Sequence, residues 1–253
     1  METTFVRAFK DNYIWVLRHA GCAAVVDPGD ATPVLDYLAR SGDRLCAILA
    51  THHHPDHVGG VAALTARFPV PVFGPAAENI SEVTRPVNPG DHIRIAELDA
   101  DFDVMDVGGH TRGHVAYYRP STLFCGDALF TFGCGRLFEG TPTQAWHSLT
   151  RIAALPSETR VYCAHEYTSN NLPFALLVDP DNLALQARRA RLEPLIAAGV
   201  PTVPSTLGEE LETNPFLRWN EPALINAASR HRGAPVTSPI EVFAALREWR
   251  NKF

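Results

Sequence analysis

The stretch from Thr51 to Gly60, THHHPDHVGG, constrains the fold more than any other feature. It places four of the chain's 11 histidines, His52, His53, His54 and His57, with Asp56 inside a run of six positions. An internal cluster interrupted by Pro55 and Asp56 is not an expression tag, which leaves a solvated polar loop or part of a metal site. Its flanks favour the second. LCAILATH (45–52) reads as a short buried strand, and DHVGGVAALTARF (56–68) has helical spacing at Val58, Val61, Leu64 and Phe68. The cluster therefore falls where a strand ends and a helix begins. Side chains two apart in an extended segment point to the same side. His52 and His54 can converge on one ion while His53 points away. Asp56 and His57 follow the turn at Pro55 and can address a second point close by.

The rest of the chain supplies partners. NYIWVL (12–17) and AAVVDPG (23–29) read as neighbouring strands, and TPVLDYLARSG (32–42) as a helix with Thr32 as N-cap, Pro33 at its first position and Gly42 past its end. Strand-like runs recur at 70–74, 102–109, 114–119, 121–127 and 160–167, with a helix expected over 141–155. Beyond about residue 168 the pattern is helical, which predicts a mixed α/β domain over 1–170 and a smaller helical domain over 171–253. His110, Asp127 and His165 each close a strand-like run, where side chains from separate strands can meet on one rim. Imidazole and carboxylate are zinc ligands. Five histidines and two aspartates suit two ions with positions left open for water and substrate, and a carboxylate can bridge two cations. His114, four residues past His110, reads as a hydrogen-bonding neighbour of a ligand. His147 lies in a helical pattern and reads as structural.

Composition narrows the function classes. With 46% hydrophobic and 20% charged residues, a 253-residue chain can bury a real core. A formal net charge of −6 does not suggest nucleic acid or an anionic membrane as partner. The sequence contains no secretory signal pattern and no stretch near membrane-span length, so a cytoplasmic setting is expected. Five cysteines without a CxxC pair agree with reduced thiols. Lys10 and Lys252 are the only lysines, so an anionic substrate would meet mostly arginine.

THHHPDH, GGHTRGH, FCGD and AHEY, in that order, resemble the metallo-β-lactamase superfamily. Within it, DNYIWVL, AAVVDPGD, GDALFTFGCGRLFEGT, TNPFLR and the terminal LREWRNKF are similar to the glyoxalase II, or hydroxyacylglutathione hydrolase, family. The resemblance implies an αββα sandwich with a smaller helical C-terminal domain and a binuclear centre. One metal would be held by His52, His54 and His110, the other by Asp56, His57 and His165, with Asp127 bridging them. Asp56 and Asp127 would be the catalytic carboxylates. The ions implied are two divalent cations, zinc by default, with iron or manganese accepted in the family.

The implied reaction is attack of a metal-bridged hydroxide on S-D-lactoylglutathione, giving glutathione and D-lactate at the end of methylglyoxal detoxification. A thiolate leaving group, with an intrinsic pKa of about 8.5, needs no strong general acid. Carried over by position, Arg136, Tyr167, Arg247 and Arg250 would contact the glutathione. Phe138 stands where some members have tyrosine, so a hydroxyl is missing there. The partner implied is this small molecule, bound by a monomer. Competing readings are a glutathione-persulfide dioxygenase, another hydrolase of the same fold, or a metal-binding protein without activity. The C-terminal arginines disfavour the first. β-Lactamases often carry cysteine at the Asp127 position, and the extra motifs of the nucleases are missing. Seven candidate ligands with open coordination positions disfavour the last.

Overall fold

Strand alternation builds two opposed apolar surfaces from the first half of the chain. Val6, Ala8, Ile14, Val16, Ala23, Val25, Leu45 and Ile48 are buried in one cluster, and Tyr13, Trp15, Leu17, Ala24, Val26, Ala47 and Leu49 in another. Both faces of the sheet are therefore covered. The computed structural model describes residues 1–253. Its first sheet runs in sequence order through β1 (Glu2–Ala8), β2 (Asn12–His19), β3 (Cys22–Val26), β4 (Arg44–Leu49), β5 (Val72–Pro75) and β6 (Arg85–Val87). The pairs are antiparallel as far as β3 and parallel from there on.

The second sheet is formed by β7 (His92–Ile95), β8 (Ala100–Asp106), β9 (Val115–Arg119) and β10 (Thr122–Gly126). After a small hairpin, β11 (Leu129–Phe130) and β12 (Gly133–Cys134), it is completed by β13 (Arg160–Cys163) and β14 (Ser205–Thr206), in the order β14-β13-β10-β9-β8-β7.

Helices α1 (Ala31–Ser41), α2 (Pro55–Val58) and α3 (Val61–Arg67) belong to the first sheet's side, where Val34, Leu38, Val61 and Leu64 join the outer cluster. The other side carries α4 (Pro142–Ala153), α5 (Thr168–Val178), α6 (Leu183–Ala197), α7 (Leu207–Thr213), α8 (Pro222–Arg232) and α9 (Pro239–Lys252). Leu149 and Ile152 of α4, Leu224 of α8, and Phe243 and Leu246 of α9 are continuous with the core that also contains Phe102, Val104, Leu123 and Val161 of the second sheet. This is the expected αββα sandwich with a helical C-terminal region. That region is tied in twice. β14 pairs with β13, and the buried Arg188–Glu210 pair on α6 and α7 reaches the β11–β12 hairpin. There Glu210 accepts the Phe132 N–H, while Asn214 donates to the carbonyls of Phe130 and Gly133.

Two local expectations are corrected. The first helix begins two residues earlier and is capped by Asp30, not Thr32, because the Asp30 carboxylate accepts the Thr32 N–H at 2.8 Å. Gly42 does close it, with φ of 73°. The helix expected over 56–68 is two helices, split at Gly59 and Gly60. The turn after β3 presses on the split so closely that a Cβ on Gly60 would lie 2.5 Å from the Ala31 nitrogen. β1 adds a strand to those marked by the sequence pattern, and α5 carries Pro173 inside it.

Candidate active site

Four segments that each follow a strand meet on one rim. They are the loop after β4 with His52 to His57, the turn after β8 with His110, Asp127 directly after β10, and His165 after β13. His52 Nε2 and His110 Nε2 lie 3.1 and 3.0 Å from His54 Nδ1. Beside them, Asp56 Oδ2 is 3.6 Å from His57 Nε2 and 3.4 Å from His165 Nε2. The Asp127 carboxylate spans the two groups. Its Oδ2 is 3.3 Å from His110 Nε2, and its Oδ1 is 3.5 and 3.3 Å from the Nε2 atoms of His57 and His165. His53 turns out of the rim towards Glu78 and Glu139.

The far side of each ring explains how it is aimed. His110 Nδ1 donates to the Arg136 carbonyl at 2.8 Å. His52 Nδ1 faces Thr51 Oγ1 at 3.1 Å, and that hydroxyl donates to Asp27 Oδ2. Asp27 Oδ2 also lies 3.0 Å from His57 Nδ1, and Asp11 Oδ1 lies 2.9 Å from His165 Nδ1. An outer nitrogen that donates leaves its inner nitrogen with a lone pair. His52 and His110 therefore both turn lone pairs towards His54 Nδ1, which has at most one proton to share between them, whereas a cation can be met by all three nitrogens.

The electrostatics agree. Burial, reinforced by His57, His114 and His110, drives the His52 imidazole well below its usual range. Burial and His110 lower His54 in the same way. Around the second group burial is outweighed: Asp127 and Asp27 raise His57 to about 9, and Asp127 raises His165. The carboxylates thus favour positive charge at this point. Burial likewise opposes the Asp127 charge, yet His57 and His165 hold that carboxyl well below the carboxylate range. The buried atoms His57 Nε2 and Asp127 Oδ1 have no hydrogen-bond partner. The donor set, its aim and these two orphaned atoms fit two divalent cations.

The substrate side is a cavity of about 620 Å³. Arg136, Phe138, Tyr167, Arg247 and Arg250 line it together with His54, Asp56, His110, Asp127 and His165, while His52 and His57 lie buried beneath. Tyr167 stacks on His165 with ring centroids 4.6 Å apart. Phe138 is 63% exposed at the mouth, its ring 5.7 Å from His54 and 5.3 Å from His110. Arg247 is buried; it donates to the Cys134 carbonyl at 2.7 Å and lies over the Phe216 ring. Arg250 is half-buried and donates to the Asn170 carbonyl at 3.0 Å. Burial, then the charges of Arg247 and Arg136, lower its pKa. The partners of Arg247 and Arg250 are carbonyl oxygens, the Cys134 sulfur and aromatic faces, so their charges stay available to an anion.

Sequence reasoning missed the residues behind the rim: Asp11, Asn12, Asp27 and Glu78. Asn12 Nδ2 donates to Asp56 Oδ2 at 3.0 Å. Asp27 carries the signal that found Asp127, an acid closing an apolar strand. Glu78 carries none. His114 has the neighbouring role expected of it, with Nε2 accepting the Asp127 N–H at 3.1 Å.

Two opposed sheets flanked by helices, with histidines and aspartates on the rim, define the metallo-β-lactamase superfamily, whose family model matches residues 8–165. A second model, Hydroxyacylglutathione hydrolase C-terminus, matches residues 166–253. Curated relatives named hydroxyacylglutathione hydrolase include one from Nitrosomonas eutropha, 50% identical over 98% of this chain and 97% of the relative. Another, from Methylobacillus flagellatus, is 53% identical over 98% of each chain. This chain belongs to the hydroxyacylglutathione hydrolase family. Among solved structures, ETHE1 from Myxococcus xanthus has the same fold, with a TM-score of 0.67 at 23% identity over 99% of this chain and 98% of that one. A protein crystallised in a di-iron-bound form aligns with a TM-score of 0.61 at 26% identity, over 86% of this chain and all (100%) of that one.

Proposed function

We propose that this chain hydrolyses glutathione thioesters, converting S-D-lactoylglutathione and water to glutathione and D-lactate, the last step of methylglyoxal detoxification. One observation carries the reading: a single cavity is lined both by convergent histidines and carboxylates and by arginines without carboxylate partners. His52, His54 and His110 would hold one cation, Asp56, His57 and His165 a second, and Asp127 would touch both. Zinc is the default, with iron or manganese as alternatives set partly by supply. Bound there, the cations would supply a water acidified towards neutral pH and an electrophile facing the thioester carbonyl.

The chain's own groups do the rest. Asp56, fixed by Asn12, orients the attacking water through Oδ2. Asp127 is fixed through its backbone by His114. Glutathione carries two carboxylates and one ammonium, and Arg136, Arg247 and Arg250 meet its net negative charge. Tyr167 braces the His165 ring and, with Phe138, walls the cavity. The water oxygen adds to the thioester carbonyl carbon, the C–S bond then breaks as the carbonyl re-forms, and the thiolate, with an intrinsic pKa of about 8.5, leaves without a dedicated acid. Residues 1–170 would form the catalytic domain and 171–253 the helical domain that brings Arg247 and Arg250.

Five unpaired thiols support a reducing, cytoplasmic setting, and no helix is long and apolar enough to cross a membrane.

The test is an assay of zinc-loaded protein for thiol release from S-D-lactoylglutathione. β-Lactam hydrolysis, phosphodiester cleavage and oxygen uptake with glutathione persulfide are run in parallel. Protein carrying two ions that releases no thiol, or that is active only in another arm, would sink the proposal.

A further inference from the structure

We infer that Glu78 is a positioning residue for the first cation, clamping together the two loops that carry its three histidines; the inference rests on the two-cation reading above. Glu78 follows β5 and belongs to neither loop. Its side chain is 3% exposed, and each of its two oxygens grips one loop. Oε2 accepts the His53 N–H at 2.6 Å and faces His53 Nδ1 at 2.7 Å, between His52 and His54. Oε1 accepts the Gly113 N–H at 3.1 Å and the Thr111 hydroxyl, in the turn that begins with His110. The carboxylate reaches so far under this turn that a Cβ on Gly113 would lie 2.6 Å from Glu78 Cγ.

A desolvated carboxylate persists only while its oxygens stay hydrogen-bonded, and bonds to a charged acceptor are the strong ones. The distance between the loops is therefore fixed at the carboxylate. That same distance sets the approach of His110 Nε2 to His54 Nδ1, at 3.0 Å. The second group is braced elsewhere, by Asn12 on Asp56 and Asp11 on His165, while Asp27 serves His57 and, through Thr51, His52. Glu78 touches none of these. It also accounts for His53, which sits amid the ligands but turns its ring away to Glu78.

Glu78→Gln keeps the shape but replaces one acceptor oxygen with an N–H₂ group. That group must then face the donors of one loop, so one grip fails. The experiment measures zinc affinity by chelator competition in two backgrounds, His165→Ala, which cripples the second group, and His54→Ala, which cripples the first. In the His165→Ala background Glu78→Gln should weaken the remaining ion about 10–100-fold, the usual effect of losing an outer partner. In the His54→Ala background the change should stay within about twofold, as for independent sites. Thr111→Val removes one donor with no change in charge, and should weaken the same ion and spare the other even if Glu78→Gln does not fold. Equal losses in both backgrounds, or none in either, would overturn the clamp. If the parent protein does not take up two zinc ions, or His54→Ala does not remove one, the two-cation reading itself falls and the clamp with it.

Discussion

At the metal end of the cavity most of the inward imidazoles are held from behind by an oxygen acceptor. Asp27 serves His57, Asp11 serves His165, and the Arg136 carbonyl serves His110. At the helical end Arg247 and Arg250 are held by the carbonyls of Cys134 and Asn170 and by the faces of Phe216 and Phe253. For His57 and His165 the contrast is one of charge. A carboxylate behind an imidazole fixes the ring's tautomer and aim and raises its basicity towards a metal. A carbonyl or an aromatic face holds a guanidinium in place without neutralising it. One group of lining residues is built for position, the other for unspent positive charge. Damage at the first should therefore appear in metal content, and damage at the second in substrate affinity.

The largest effect expected from this contrast is at Asp127. Asp127→Ala deletes the anion between the two groups, so it should lose metal and depress turnover by more than the roughly 100-fold that an outer partner costs. Cys125→Ala, two residues away and buried, should keep both, because its thiol only packs and bonds backbone carbonyls. Metal analysis beside kcat separates the two; an Asp127→Ala protein with two ions and normal turnover would break the comparison at its centre.

Arg250→Ala comes next. A hydrogen bond to a charged group is worth about 1.5–3 kcal/mol, so kcat/KM should fall roughly 10–150-fold, mainly through KM, with metal content unchanged. Arg247→Ala should show the same kinetic loss together with a lower Tm, because Arg247 is buried and its removal also frees the Cys134 carbonyl. A small activated thioester lacking glutathione should not distinguish either variant from the parent. An unchanged KM for S-D-lactoylglutathione in both would remove the arginines from the substrate site.

Asp11→Ala sharpens the contrast from the other side. It should weaken one cation about 10–100-fold while leaving KM at saturating metal near that of the parent, checked by zinc titration and steady-state kinetics together. A shift in KM with full metal occupancy would contradict it. The smallest effect is expected at Phe138, which is exposed at the mouth. Phe138→Tyr adds a hydroxyl that can gain one neutral hydrogen bond, so KM should change by no more than about tenfold.

The rim was legible in the sequence because its signals are local. His52 and His54 do meet, with nitrogens 3.1 Å apart, although β4 stops at Leu49 and the chain bends at Thr51 and His52. His110, Asp127 and His165 each interrupt an apolar run at its end, and a strand end is where a side chain reaches a rim. The same local reasoning failed between two equivalent neighbours and where a second segment presses in. Thr32 and Asp30 are both capping residue types, and only the reach of the Asp30 carboxylate separates them. The helical spacing over 56–68 gave no hint of the break at Gly59 and Gly60, which the turn after β3 imposes from outside.

The amino-acid order by itself determined which side chains could become ligands and which strand ends present them, because backbone alternation and helix spacing act over a few residues. Tertiary structure alone decided how those side chains are aimed and what charge they retain. Asp11, Asp27 and Glu78 are isolated acids in the sequence, and they become braces only when folding brings them against His165, His57 and His53. Arg247 and Arg250 have the same chemistry and lie three residues apart, yet the packing of α9 buries the first against Phe216 and leaves the second half open to solvent. Such differences depend on contacts between distant parts of the chain, and no spacing within one segment records them.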